Sequence, residues 1–209
     1  MRLRILAFDP GQKNCSVALI EYSSSKKSLQ LKDVKIVFHG LLPADVTALV
    51  IKKSSTLSLQ IKSLQQILEQ LKRDWKPTHV ILERYMTRGF GGGGNTTEVI
   101  NLLIGCILCS HVAPTKLIGA SMWKNEVKRQ RIAQDLPEQV GKHACNRTEV
   151  YHGFEVPKGE VPVSAHQVDA CMIAMYGLFK LLKQRPFLDF NFDGYMRKIK
   201  TAKVVELGR

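Results

Sequence analysis

The N-terminal part of the chain consists of short apolar runs typical of β-strands: the first alternates weakly with polar residues, and the third mostly keeps a period of two. Strand-like runs cover residues 3–8, 14–22 and 29–39, and the first of them stops at Asp9-Pro10-Gly11, a strong turn signal. The serine- and lysine-rich tract at 23–28 is typical of a solvent-exposed hairpin turn. This pattern predicts three strands joined by turns.

The middle of the chain changes to the period of a helix. From Leu57 to Leu71, apolar residues recur every three or four positions, as in an amphipathic helix. A short apolar strand is predicted at His79–Glu83, and a glycine-rich loop, Arg84 to Gly94, follows it. The nearly all-apolar stretch at about 96–112 predicts a helix, and Thr115–Gly119 predicts another short strand.

The last part of the chain is less regular. A helix capped by Ser121 is expected, whereas residues 131–163 are polar and predict no clear element. A last helix, 165–182, is predicted to begin after Ser164. We therefore expect an α/β fold, with one domain over residues 1–185 and a basic C-terminal extension over 186–209.

The net charge of the chain indicates what kind of molecule it binds. The 209 residues include 31 Lys and Arg against 18 Asp and Glu, a formal net charge of +13. Such an excess on a folded domain indicates a polyanion as partner. No apolar run approaches the ~20 residues that a membrane span needs, so no membrane association is expected. The five cysteines lack paired spacing, which favours a reducing interior over a disulfide framework.

The acidic residues indicate chemistry by their positions. Asp9 follows the first predicted strand and Glu83 ends the fourth, while His166 and Asp169 share one face of the last predicted helix. A single acid at a strand end is often only a turn or cap residue. Two such acids on one sheet, facing a helix that carries His-x-x-Asp, predict a cluster of hard metal ligands.

Carboxylates brought together repel one another unless a cation neutralises them. Mg²⁺ suits such a site because it takes oxygen ligands and keeps waters that contact phosphate. Two ions ~3.5–4 Å apart would serve an in-line phosphoryl displacement. Mg²⁺, with Mn²⁺ as a substitute and two ions per site, is therefore the predicted cofactor of a basic, nucleic-acid-cutting enzyme.

Three motifs carry a family resemblance. Phe8-Asp9-Pro10-Gly11, Leu82-Glu83 and His166-Gln167-Val168-Asp169-Ala170 resemble the RuvC-type Holliday-junction resolvases, of the ribonuclease H-like and retroviral integrase superfamily. The resemblance implies a mixed five-stranded sheet flanked by helices, and a homodimer that cuts a four-way DNA junction by paired symmetric nicks. It also implies 5′-phosphate and 3′-hydroxyl ends. Asp9, Glu83, His166 and Asp169 match the catalytic and metal-binding positions.

The same resemblance implies DNA contacts. An apolar side chain of the loop after Glu83 would wedge among unstacked bases, and cations of this loop and of the segment 121–131 would hold phosphates. The candidate wedges are Tyr85, Met86 and Phe90, and the candidate phosphate contacts are Lys13, Arg84, Arg88, Lys124, Lys128, Arg129 and Arg131. The apolar helix 96–112 would form the dimer interface.

Some features depart from the bacterial enzymes. The glycine-rich version of the basic segment is not matched, and the elaboration at 23–55 is added. These departures are consistent with a bacteriophage branch acting in the host cytoplasm, and the expected location is cytoplasmic in any case. Two alternatives stay open: a monomeric ribonuclease H-like nuclease acting on flaps or RNA–DNA hybrids, and a non-catalytic junction-binding protein. An actin-type ATPase is disfavoured, because no second phosphate turn is present.

Overall fold

The structure is a computed structural model. It describes residues 1–11, 14–24, 29–85, 94–133, 148–151, 154–157, 164–184 and 191–208.

Strands and helices alternate along the chain after an initial β-meander. The strands are β1 (Arg2–Asp9), β2 (Ser16–Ser23), β3 (Val34–Leu41), β4 (His79–Arg84), β5 (Thr115–Gly119), β6 (Thr148–Tyr151), β7 (Phe154–Pro157) and β8 (Val204–Glu206). The described helices are α1 (Ala44–Thr47), α2 (Ser54–Trp75), α3 (Gly94–Cys109), α4 (Ala120–Ala133), α5 (Ala165–Leu181) and α6 (Phe192–Thr201), and a 3₁₀ turn lies at Leu31–Asp33.

The main sheet confirms the predicted mixed α/β fold. Its strand order is β5-β4-β1-β2-β3-β8. β1, β2 and β3 form the antiparallel meander, whereas β4 lies parallel to β1 and β5 lies parallel to β4. The prediction of five strands was one short, because β8 adds a sixth beside β3. In the described residues, β6 and β7 form a separate two-stranded sheet.

Helices cover both faces of the sheet. Side chains of α4, α5 and α6 pack against one face, and side chains of α2 and α3 pack against the other. α5 is the most enclosed helix, since every residue from Gln167 to Phe179 is buried. Gly177 allows this close packing, because a Cβ there would overlap the side chain of Ile81 on β4. α5 therefore packs directly on β4 at this position.

Two helix predictions have opposite outcomes. α5 begins after Ser164, as predicted, with a capping box in which the Ser164 and Gln167 side chains each accept the other residue's backbone N–H. The predicted cap at Ser121 was wrong, because α4 already begins at Ala120 and includes Ser121 in its first turn. In the described residues no helix is long and apolar enough to cross a bilayer.

The C-terminal segment contributes to the core. We predicted α5 as the last helix and a basic extension over 186–209; the described part, 191–208, instead forms α6 and β8. Tyr195, Met196 and Ile199 of α6 are buried, and the Tyr195 hydroxyl donates to the Cys171 carbonyl at 2.8 Å. Gly40 allows β8 to approach β3, because a Cβ there would overlap the Val205 carbonyl. The sheet and its covering layer thus extend through residue 206.

Candidate active site

Adjacent parallel strands bring Asp9 and Glu83 together. Phe8 of β1 is paired with Leu82 of β4, and both side chains lie in the core cluster formed with α2 and α3. Because successive side chains in a strand point to opposite faces, Asp9 and Glu83 both face the α5 side of the sheet. β4 continues to Arg84, so Glu83 is its penultimate residue and not its last.

The first turn of α5 brings the other two predicted residues to this edge. His166 Nδ1 lies 3.0 Å from Asp9 Oδ2, and Asp169 is buried one helical turn further on. Ser16, at the start of β2, donates from its hydroxyl to the His166 carbonyl. The predicted set Asp9, Glu83, His166 and Asp169 is therefore assembled from β1, β4 and α5.

Burial and mutual repulsion raise the pKa values of two of these carboxyl groups, Asp9 and Glu83. Burial raises the pKa of Asp9, and the hydrogen bond from His166 partly opposes this increase, while the charge of Asp169 adds to it. Burial raises the pKa of Glu83 to about 7, and the charge of Asp9 contributes in the same direction. Desolvated like charges in close proximity are expected to behave in this way.

Two neighbouring residues of α4 complete the site. Trp123 is fully buried, and its indole Nε1–H donates to Glu83 Oε2 at 2.6 Å. Lys124 Nζ lies 3.5 Å from Asp169 Oδ2 and 5.0 Å from the centre of the Trp123 ring. Lys124 was predicted as a phosphate contact, whereas Trp123 was not predicted at all. A buried Trp generally needs a partner for its N–H, but the burial of Trp123 is seen only in the structure, so no signal in the sequence pointed to this role.

The donor chemistry of the site fits a divalent cation. Carboxylate oxygens are the ligands that Mg²⁺ prefers, and a cation would offset both the burial and the like-charge repulsion that raise the pKa values of Asp9 and Glu83. Asp9 contacts His166, Glu83 contacts Trp123, and Asp169 contacts Lys124. Across the part of the chain that the structure describes, no three His, Cys, Asp or Glu side chains are arranged to hold a metal ion. Metal binding would therefore require these carboxylates to turn toward one point.

Only some predicted DNA contacts fall on described side chains. Arg84 is exposed at the end of β4, whereas Tyr85 is partly buried against the core cluster that includes α2 and α3. Lys13, Met86, Arg88 and Phe90 lie outside the described residues, and so do the side chains of Lys128, Arg129 and Arg131, whose backbone lies in α4.

The predicted dimer helix has one buried and one partly exposed side. Val99, Leu103 and Ile107 of α3 are buried within the chain. Leu102 and Cys106 are only partly buried, and Cys109 is exposed. Leu102 and Cys106 on its outer side are thus only partly exposed and pack against the core cluster, and the use of this helix in a dimer remains a prediction.

Comparison with solved structures identifies the fold. No family model and no curated protein matches the sequence. Thermus thermophilus RuvC matches with a TM-score of 0.53 at 15% identity, covering 89% of this chain and 99% of that chain. The T. thermophilus RuvC in complex with Holliday junction substrate matches with a TM-score of 0.51 at 12% identity, covering 86% and 96%.

A third solved structure, the yeast mitochondrial Holliday junction resolvase Ydc2, has a TM-score of 0.44 at 14% identity, with 95% of this chain and 80% of that chain covered. The two RuvC matches show that this chain has the RuvC-type resolvase fold, as the sequence motifs predicted. The bacteriophage origin stays a prediction.

Proposed function

We propose that this chain is a metal-dependent endonuclease that resolves four-way DNA junctions by paired symmetric nicks. The observation that carries the proposal is the assembly of Asp9, Glu83 and Asp169, with His166, at one edge of a RuvC-type sheet. The T. thermophilus relative is described in complex with a Holliday junction substrate. Cleavage would leave 5′-phosphate and 3′-hydroxyl ends, and the proposed location is the cytoplasm.

In this proposal Asp9, Glu83 and Asp169 hold Mg²⁺ or Mn²⁺, with two ions per site. When bound, the metal would activate a water and stabilise the leaving oxygen of the phosphodiester. Two carboxylates with raised pKa values favour the proposal, because a group that is costly to ionise alone gains most from a nearby cation.

The protein's own residues orient these carboxylates. Trp123 holds one oxygen of Glu83, and Lys124 balances the charge of Asp169. An ionised Asp9 only accepts hydrogen bonds, so it favours the tautomer of His166 with the proton on Nδ1. That tautomer places the ring lone pair on Nε2. His166 is 43% exposed at its side chain, which suits a residue that positions an attacking water or receives its proton.

Charge and surface support the DNA part of the proposal. The net charge of +13 attracts a polyanion, and Arg84 and Lys124 are cations at or beside the site. Tyr85, Met86 and Phe90 are the proposed wedge, and Lys13, Arg88, Lys128, Arg129 and Arg131 are further proposed phosphate contacts. The surface side of α3 is the proposed homodimer interface, which would relate two sites by a twofold axis.

Substrate choice is the decisive test. The protein is incubated in Mg²⁺ with end-labelled four-way junctions, flaps and RNA–DNA hybrids, and the products are mapped on both strands. Symmetric paired nicks confined to the junction are expected. Preferential cutting of flaps or hybrids would replace the proposal with a ribonuclease H-like nuclease of other specificity. Junction binding without turnover in either Mg²⁺ or Mn²⁺ would leave a binding protein.

A further inference from the structure

A buried chain of hydrogen bonds connects the C-terminal helix to the active-site turn of α5. His39 of β3 is fully buried. Its Nε2 lies 3.0 Å from the Ile199 carbonyl of α6, and its Nδ1 lies 3.3 Å from Gln167 Nε2. Gln167 Oε1 in turn accepts from the Ser164 backbone N–H at 2.7 Å. We call Ser164, Gln167, His39 and Ile199 the relay.

The donors and acceptors in the relay allow only one assignment of its hydrogen bonds. The Ser164 N–H can only donate, so the oxygen of the Gln167 amide faces it and the NH₂ group faces His39. The Ile199 carbonyl can only accept, so His39 carries its proton on Nε2 and accepts from Gln167 on Nδ1. Both nitrogens of a neutral His39 are therefore used, and every buried polar group in the relay has a partner.

The relay reaches the residue next to His166 in the chain. Gln167 is the residue after His166, and its side chain is half of the capping box that starts α5. The other contacts of this turn come from the strands: Ser16 donates to the His166 carbonyl, and Asp9 accepts from the His166 ring. The position of His166 over Asp9 thus depends on a turn supported by β2 on one side and by the relay on the other.

We infer that His39 and Gln167 are positioning residues for the active site, which fix the first turn of α5, and hence His166, against α6 and β3. The inference rests on the proposed function only for its effect on cleavage. The relay also makes α6, outside the site itself, part of the structure that supports it. A displacement of about 1 Å at a reacting group can reduce the rate on the order of a hundredfold.

The experiment compares His39→Leu and Gln167→Met with two further variants. Ile36→Ala, a buried position of the same strand, is the control for general loss of stability. His39→Gln is the rescue, because Gln again offers one acceptor and an N–H donor on a planar group. All variants are assayed at a temperature at which each is folded, and Gln167→Met carries the test if His39→Leu does not fold.

Two readouts are expected to agree. In junction cleavage, kcat falls roughly ten- to a hundredfold in His39→Leu and Gln167→Met with KM nearly unchanged, while Ile36→Ala keeps kcat and His39→Gln recovers most of it. In ¹⁵N NMR, the ring signals of His166 are identified by their loss in His166→Ala. They are expected to shift in His39→Leu and Gln167→Met, and not in Ile36→Ala or His39→Gln.

The NMR readout separates this inference from the proposed function. If the wild-type protein cuts no branched DNA, the proposed function fails, and the His166 signals still decide the relay. Unchanged His166 signals in folded His39→Leu, or in Gln167→Met if His39→Leu does not fold, would overturn the inference, and so would an equal shift in Ile36→Ala.

Discussion

The indole of Trp123 donates a hydrogen bond of 2.6 Å to Oε2 of Glu83, a residue 40 positions earlier in the chain. Trp123 is fully buried, so this bond joins α4 to the active-site edge of β4 from within the core. It lowers the pKa of Glu83 against the larger effect of burial. Trp123 therefore holds the carboxylate in place and also favours its ionised form.

Trp123→Phe removes the N–H donor and keeps most of the aromatic volume. We expect the pKa of Glu83 to rise further above its ordinary value, because burial then acts with less opposition. The acidic limb of the pH–rate profile for junction cleavage should move to higher pH. Trp75→Phe is the matched control, since Trp75 packs against Phe38 in the other core cluster. Equal shifts in both variants would contradict the assignment.

The raised pKa of Glu83 also predicts that the stability of the fold depends on pH. In the folded state its pKa is about 7, compared with 4.5 for an ordinary Glu, so the folded state holds more protons between these values. The contribution of neutral Glu83 is fully present below about pH 4.5 and is lost as the pH rises through about 7. Urea unfolding in EDTA should therefore show the stability of the wild type falling relative to that of Glu83→Gln over this range. Parallel curves would show that Glu83 is not the group responsible.

Asp9→Asn tests the metal role most directly. The amide keeps the size of the side chain but removes its charge, so cleavage in Mg²⁺ should fall on the order of a thousandfold or more, beyond the ~10²–10³ typical for one lost stabilising donor. Junction affinity in a gel-shift assay should be retained. In EDTA at neutral pH, Asp9→Asn should be more stable than wild type, because a desolvated like charge has been removed. Unchanged turnover would exclude Asp9 from the mechanism.

Lys124→Gln tests whether this residue contacts phosphate as well as Asp169. The logarithm of junction affinity should fall with the logarithm of salt concentration, and loss of one phosphate contact should reduce that slope by about 0.9. Lys72→Gln is the control, because Lys72 is exposed on α2, which covers the opposite face of the sheet. A slope unchanged in Lys124→Gln would assign Lys124 to charge balance at Asp169 alone.

Local sequence patterns predicted the mixed α/β fold, and they placed Asp9, Glu83, His166 and Asp169 on elements that the structure brings to one edge of the sheet. Apolar, β-rich runs indicated β1 and β2, and period-two alternation indicated β3. Asp9 and Glu83 were singled out as acids that directly follow apolar runs. β8 was missed because three residues are too few for a period to be recognised. α6 could have been found, since Phe192, Tyr195, Met196 and Ile199 have helical spacing.

Trp123 and His39 could not be assigned from the sequence. The sequence around each residue gives no sign of its role, because that role depends on a partner far along the chain. The partner is Glu83 for Trp123, and the partners are Gln167 and Ile199 for His39. Ser121 shows the opposite error. A favourable cap residue was present, but the helix begins one residue before it, directly after β5.

The place of β8 has a consequence for synthesis on the ribosome. Val204–Glu206 pairs with His39–Leu41, so this part of β3 has no partner on its outer side until more than 200 residues have been translated. An unpaired strand edge is a template for pairing with other chains. We therefore expect nascent or interrupted chains of this protein to depend on chaperones and to aggregate through β3, where Gly40 leaves the backbone open to close approach.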